Sequence, residues 1–340
     1  MCQVYIYYLC MFDLFFYFIF FITGLIVIPN AFTPSIQRRL IKQCLRDYAK
    51  PPHTSNLNGH YHVPQDGIWP LYEREKRGEL VPGDPDYYVP IKPILDNEQG
   101  TDIYSSPSID ETTISNSNDD DDAKSTVSSM YSSINSNTKS LLLGPTSLLK
   151  KQRWVTLGYQ YHWGTKKYDL NNPVPIPDEI AEIMKAIVTA TEDIGYTDND
   201  DLNTNWKNQY KGCDFKPEAG IINYYQLQST LMGHVDQSEI NMEAPLISMS
   251  LGHSCIYLIG GNTRDVKPIP LRLHSGDVII MTAIARRAYH GVPRILDGTL
   301  PDYLSPEGHY EDSPDWKIYG DYMTTTRINL NIRQVFSSKE

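Results

Sequence analysis

From residue 219 onward the chain is written in short apolar runs. They are AGIINYY, PLISMSLG, SCIYLIGG, PIPLRLHSGDVIIM and RINLNIRQVF, separated by Gly, Ser, Asn and Pro. Successive short strands broken by turn residues predict an all-β sandwich or jelly roll. Helical spacing appears only upstream. Ile180, Ile183, Met184, Ile187 and Val188 share one face after Pro177, and Ile36, Leu40, Ile41, Cys44 and Leu45 do so over residues 34–48. Thr33 is placed to cap the second of these helices, with Pro34 at its first position. The expected fold is therefore mainly β with flanking helices.

The first long strand run leads to His234 and Asp236, one residue apart. On a strand such a pair points to one side, because side chains alternate with period two. An imidazole and a carboxylate side by side are two-thirds of a 2-His-1-carboxylate triad, which leaves open positions on Fe(II). His290, in RAYHGVPR, is the candidate third ligand, with His253 and His274 as alternatives. His274 sits in the turn HSGD, where bonding to the turn backbone is its ordinary role. A bare His-X-Asp arises readily by chance, so the weight rests on an ordered set. Asn223 and Tyr225 precede the pair, Tyr225 by nine residues, and R-X-N-X-X-X-R (Arg327, Asn329, Arg333) closes the series. The last three have odd numbers and share a strand face.

In this order these residues resemble the AlkB family of iron- and 2-oxoglutarate-dependent dioxygenases. GYQYHW, AGIINYY, GHVDQSE, HSGDVIIM, HGVPR and RINLNIRQV are similar to the homologue-one branch in particular. The resemblance covers about residues 24–60 and 146–336. It implies a double-stranded β-helix with helices buttressing one sheet. It implies that His234, Asp236 and His290 bind Fe(II), and that Arg327 takes the far carboxylate of 2-oxoglutarate through a bidentate fork. Asn223, Tyr225, Asn329 and Arg333 would complete that pocket, with a structural ion pair as the plainer role for Arg333. Molecular oxygen would be the second co-substrate. The implied partner is nucleic acid, tRNA before DNA, with 1-methyladenine removal, 5-methylcytosine oxidation and N6-methyladenine in DNA as the reactions. A dioxygenase acting on protein, and a binding module without catalysis, are the competing classes. A monomer is expected.

The net charge of −11 does not exclude a nucleic-acid partner. Nine acidic residues and no basic one lie within residues 96–122, which leaves the rest near −2. Basic groups at Lys150, Lys151 and Arg153, at Lys166 and Lys167, and at Arg286 and Arg287 read as solvated surface charges. Five cysteines without a C-X-X-C pair point to a reducing, intracellular setting, in cytoplasm, nucleus or mitochondrion. Residues 1–22 form an apolar extension. The apolar run reaches a bilayer's span but carries Asp13, so it reads as a membrane anchor or as an extra N-terminus that is an artefact. Residues 23–50 should supply a strand and a helix that pack on the core. Residues 51–95 read as an irregular, lid-like region with His53, His60 and His62 exposed. Residues 96–140 read as a disordered acidic linker, and 141–340 as the catalytic domain. WVTLGYQYHW reads as one strand whose Trp154, Tyr159, Tyr161 and Trp163 either stack on a base or pack in the core.

Overall fold

A computed structural model describes residues 24–92, 142–162, 165, 167–196 and 206–337. The apolar extension, the acidic linker, Trp163 and Lys166 lie outside the described residues. The strands are β1 (Leu25–Ile28), β2 (Thr54–Ser55), β3 (Trp154–Gly158), β4 (Gln160–His162), β5 (Lys167–Asp169), β6 (Gly195–Tyr196), β7 (Trp206–Lys207), β8 (Ala219–Gln226), β9 (Leu231–His234), β10 (Leu246–Gly252), β11 (Cys255–Ile259), β12 (Ile269–Leu273), β13 (Val278–Met281), β14 (His290–Ile295) and β15 (Thr326–Arg333). The helices are α1 (Pro34–Lys42), α2 (Trp69–Lys76), α3 (Pro145–Lys151), α4 (Asp178–Thr191) and α5 (Trp316–Met323).

Seven strands pair in the order β1-β13-β10-β15-β8-β3-β2, and four in the order β12-β11-β14-β9. The two sheets form the jelly roll. Period-two alternation gives the larger sheet two unlike faces. Ile222 and Tyr224 of β8, Ile247, Met249 and Leu251 of β10, and Ile328, Leu330 and Ile332 of β15 point to the helices and form one buried cluster with them. Their odd- or even-numbered neighbours turn toward the smaller sheet. A second cluster lies there, with Tyr225, Leu246, Ile279 and Met281 against Cys255, Tyr257, Ile259, Leu273 and Val292.

The helix starts follow their local chemistry. Thr33 caps α1 by accepting from the Ile36 N–H, with Pro34 at the first turn. α1 runs straight on into a π-helical turn over Gln43–Asp47, and together they bury Leu40, Ile41, Cys44 and Leu45. α4 carries Asp178 and Glu179 in its first turn, where the helix dipole favours anions.

Three expectations change. WVTLGYQYHW is two strands, not one. Gly158 has φ +68°, and a Cβ there would lie 2.0 Å from the Glu218 carbonyl oxygen, so the chain bends at this residue and β4 leaves the sheet to pair with β5. Within it Trp154 is buried and Tyr159 meets Phe336 edge-on at 5.4 Å. Residues 54–92 are largely turns and loops, as expected, but none of them lines the cavity described below. They hold α2 and pack on the helical side, where Trp69 stacks on Tyr319 at 4.6 Å. His60 and His62 are exposed as expected, but His53 is buried.

Burial lowers the His53 pKa from 6.5 to about 4, because the charged form loses its water. A folded-state value below the unfolded one means stability is full above about pH 6.5 and falls as the pH drops toward 4. The loss from this single imidazole is at most about 3 kcal/mol. Melting curves between pH 7 and 4 should therefore fall more steeply for the native protein than for His53→Gln. Parallel curves would mean that His53 titrates normally.

Candidate active site

The two histidines are brought together by strand pairing. β9 and β14 are antiparallel neighbours with His234 opposite His290, and the rings lie 4.4 Å apart between centroids. Each ring is oriented by its own backbone. His234 Nδ1 lies 2.9 Å from the Met232 carbonyl oxygen, and His290 Nδ1 lies 3.1 Å from that of Ala288. A carbonyl only accepts, so Nδ1 carries the hydrogen in both rings and Nε2 keeps its lone pair. Metal-ligating histidines commonly have such an outer partner. Asp236 follows the end of β9, with its Oδ2 3.6 Å from His290 Nε2. One ligand atom from each of His234, Asp236 and His290 lies within 4.8 Å of the others. These three can hold a metal ion, and their donor set suits Fe(II) with positions left open.

Asp236 is kept ionised. Burial alone would raise its pKa, but the Arg333 guanidinium outweighs that and holds it well below the usual carboxylate range. Arg333 Nη1 lies 3.3 Å from Asp236 Oδ1 and 3.1 Å from Glu239 Oε1. Burial and the nearby His290 lower the pKa of His234, which favours the neutral ring that a metal requires.

The triad opens into a cavity of about 1170 Å³ between the sheets. Asn223, Tyr225, Arg327, Asn329 and Arg333 all line it, as do Tyr161, His162, Arg264 and Tyr289. Arg327 is only 1% exposed. Its Nη1 donates to the His253 carbonyl at 2.7 Å and its Nη2 to Ser250 Oγ at 2.7 Å, both neutral acceptors. Among the described residues no carboxylate lies within ion-pair distance of it. A buried guanidinium without a counter-charge is costly, so the cavity is suited to an anion, and a carboxylate matches the fork. The far carboxylate of 2-oxoglutarate fits this place. Asn329 Nδ2 donates to Ser248 Oγ and to the Met249 carbonyl, which fixes the neighbouring wall.

The alternative histidines are occupied elsewhere. His253 Nε2 lies 2.8 Å from the Thr324 carbonyl, and His274 stays in its turn beside Asp277. Arg286, expected among solvated charges, is 1% exposed and paired with Glu239 at 2.8 Å. The two partners lie 47 residues apart, so local sequence carries no sign of the pairing. Asn331 was also missed. It lines the cavity and accepts from Arg333, and its odd position on β15 would have revealed it.

A β-sandwich that brings two histidines, one ionised carboxylate and a buried arginine without a carboxylate partner to one cavity has the donor set of a mononuclear 2-His-1-carboxylate metal centre. The sequence profile of the 2OG-Fe(II) oxygenase superfamily matches residues 117–333. The chain is 31% identical over 330 residues to "Nucleic acid dioxygenase ALKBH1" of Mus musculus, covering 93% of this chain and 65% of that protein. It is 31% identical over 322 residues to "DNA N(6)-methyladenine demethylase ALKBH1A" of Arabidopsis thaliana, covering 92% of this chain and 75% of that protein. It is 39% identical over 191 residues to "tRNA demethylase abh1" of Schizosaccharomyces pombe, covering 56% of this chain and 55% of that protein. The chain thus spans 65% of the length of the mouse protein. It belongs to the 2OG-Fe(II) oxygenase superfamily and, within it, to the AlkB family. Fe(II), 2-oxoglutarate and molecular oxygen are the cofactors and co-substrates of that superfamily, and the triad is consistent with iron.

Removing one ligand tests the centre directly. His234→Ala should weaken Mn(II) binding to the metal-free protein by more than about a hundredfold, with the melting temperature almost unchanged because His234 is only partly buried. Calorimetric titration reads the affinity, and binding as tight as the native protein's would remove His234 from the centre.

Proposed function

We propose that this protein is an Fe(II)- and 2-oxoglutarate-dependent dioxygenase that oxidises methyl groups on nucleic-acid bases, with tRNA as its main substrate. The observation that carries the reading is the pairing of the triad with the uncompensated Arg327 in one cavity. About 1170 Å³ holds both a small dicarboxylate and a nucleobase. The relatives' names support a nucleic-acid substrate: one is a tRNA demethylase, one a DNA N(6)-methyladenine demethylase and one a nucleic acid dioxygenase.

His234, Asp236 and His290 would hold the iron, and Arg327 would bind the far carboxylate of 2-oxoglutarate. When bound, iron and 2-oxoglutarate supply with oxygen the oxidant that removes hydrogen from a methyl group, releasing succinate and carbon dioxide. Arg333 keeps Asp236 charged and oriented. Asn223 and Tyr225 turn their side chains into the cavity from β8 and would bound the co-substrate. Tyr161, His162 and Tyr289 line the cavity and would stack on a base taken out of its stack. On a nitrogen-bound methyl the hydroxymethyl product collapses to formaldehyde and the bare base, as in 1-methyladenine or N6-methyladenine. On C5 of cytosine the oxidised group is retained. We further propose that the protein works as a monomer inside the cell. Its described cysteines Cys44, Cys213 and Cys255 are free thiols, as a reducing compartment favours.

Two measurements test this. Incubation with Fe(II), 2-oxoglutarate and tRNA, followed by mass spectrometry of nucleosides, should show loss of 1-methyladenosine and oxidation of 5-methylcytidine, with DNA and methylated peptide less affected. Turnover on peptide alone would make it a protein-modifying enzyme. Arg327→Lys keeps the charge but loses the fork. Because a charge-assisted hydrogen bond is worth about 1.5–3 kcal/mol, the KM for 2-oxoglutarate should rise roughly ten- to a hundredfold, with RNA affinity unchanged. Loss of RNA affinity at an unaltered KM would place Arg327 on the substrate side.

A further inference from the structure

The segment between β9 and β10, residues 235–245, has no regular structure, yet it carries Asp236. Its anchorage is therefore made by side chains. Glu239, with its side chain fully buried, is the centre of that anchorage. It accepts from Arg286 Nη2 at 2.8 Å, from Arg333 Nη1 at 3.1 Å and from the Tyr168 hydroxyl at 2.6 Å. Arg286 also donates to the Asp236 carbonyl at 2.6 Å and to that of Ala244 at 3.3 Å, so it fastens both ends of the segment. Two buried arginines face the buried carboxylate of Glu239 and the partly buried one of Asp236, and the local charge balances.

Tyr168 belongs to neither sheet. It sits on β5, in the two-stranded hairpin with β4, and Tyr161 on the opposite strand lies 3.0 Å from Ser238 Oγ. The same hairpin supplies Tyr161 and His162 to the cavity wall. One wall of the cavity is thus tied by two hydroxyls to the segment that presents a metal ligand.

We propose that Glu239 is a positioning residue for Asp236, acting through Arg333 and Arg286, and that the Tyr168–Glu239 hydrogen bond couples the β4–β5 hairpin to the metal centre. The proposal rests on the reading of His234, Asp236 and His290 as that centre. Metal binding and hairpin order should then favour each other, because coupling between two sites is reciprocal. A substrate that orders the hairpin would tighten the centre at the moment it is needed.

The test uses the full-length metal-free protein and Mn(II) alone. Outer partners of metal ligands commonly change affinity ten- to a hundredfold. Glu239→Gln should fall in that range, and Tyr168→Phe, which keeps the ring, should weaken Mn(II) binding about three- to tenfold at an unchanged melting temperature. In the native protein Mn(II) should slow amide exchange at 160–162 and 167–169, and in Tyr168→Phe it should not. In turnover, Tyr168→Phe should release more succinate per methyl group oxidised. If Glu239→Gln does not fold, Tyr168→Phe alone decides. Native Mn(II) affinity and native hairpin protection in Tyr168→Phe would overturn the coupling, while His234→Ala still abolished binding. Absence of Mn(II) binding by the native protein would instead overturn the metal-centre reading, and this proposal with it.

Discussion

The structure depends on how β15 disposes of its two faces. A jelly roll ordinarily fills the space between its sheets with apolar side chains. Here the inward positions of a central strand are Arg327, Asn329, Asn331 and Arg333, and both arginines are nearly inaccessible to water. Taking a guanidinium out of water costs several kcal/mol unless it meets a partner. Arg333 meets Asp236 and Glu239. Arg327 donates to a carbonyl and a hydroxyl and meets no carboxylate among the described residues. The outward positions offset the expense. Ile328, Leu330 and Ile332 are fully buried against the helices, and at about 25 cal/mol per Å² their burial supplies the stability that the inner face does not. One strand thus divides its labour by parity.

The metal-binding arrangement shows a second division. The two imidazoles come from paired strands and are locked by carbonyls two residues before them, so their geometry follows from the sheet itself. The carboxylate comes from a segment that no ladder holds. Its position must be made by ion pairs, which is why Glu239, Arg286 and Arg333 gather there. Removing a partner from such a cluster leaves a buried charge unpaired. The cluster is therefore sensitive at every member, although only Asp236 would touch a metal.

What could be read in advance follows from range. Period-two patterning revealed the strands after residue 219 and the shared face of Arg327, Asn329 and Arg333, because it needs only neighbours two residues apart. Helical spacing revealed α1 and α4 for the same reason. The triad emerged from two local signals and one distant one, His290, which required an ordered series of motifs. Arg286 could not be distinguished from exposed Arg287 beside it, since the difference is a partner 47 residues upstream. α2 was missed because its apolar contribution is Trp69 and Tyr72, too brief a pattern amid Pro and Gly. The burial of His53 likewise depends on long-range packing.

The same distinction of range bears on substrate choice. The residues that would bind metal and 2-oxoglutarate sit on sheet strands or are clamped to them, so they form a rigid floor. The cavity's other walls come from pieces that the main sheets do not hold in register: the β4–β5 hairpin with Tyr161 and His162, and the β11–β12 turn with Arg264, whose guanidinium lies 5.3 Å from the Tyr289 ring. A guanidinium above an aromatic ring can give way to a base, which stacks on either face. A floor fixed by the sheets, with walls outside them, would suit the proposed oxidation of a base. The oxidising chemistry tolerates little displacement, whereas a base drawn from a folded RNA must be admitted, gripped and released. Under the proposed function, selectivity among methylated bases would be set by the hairpin and the turn rather than by the strands beneath.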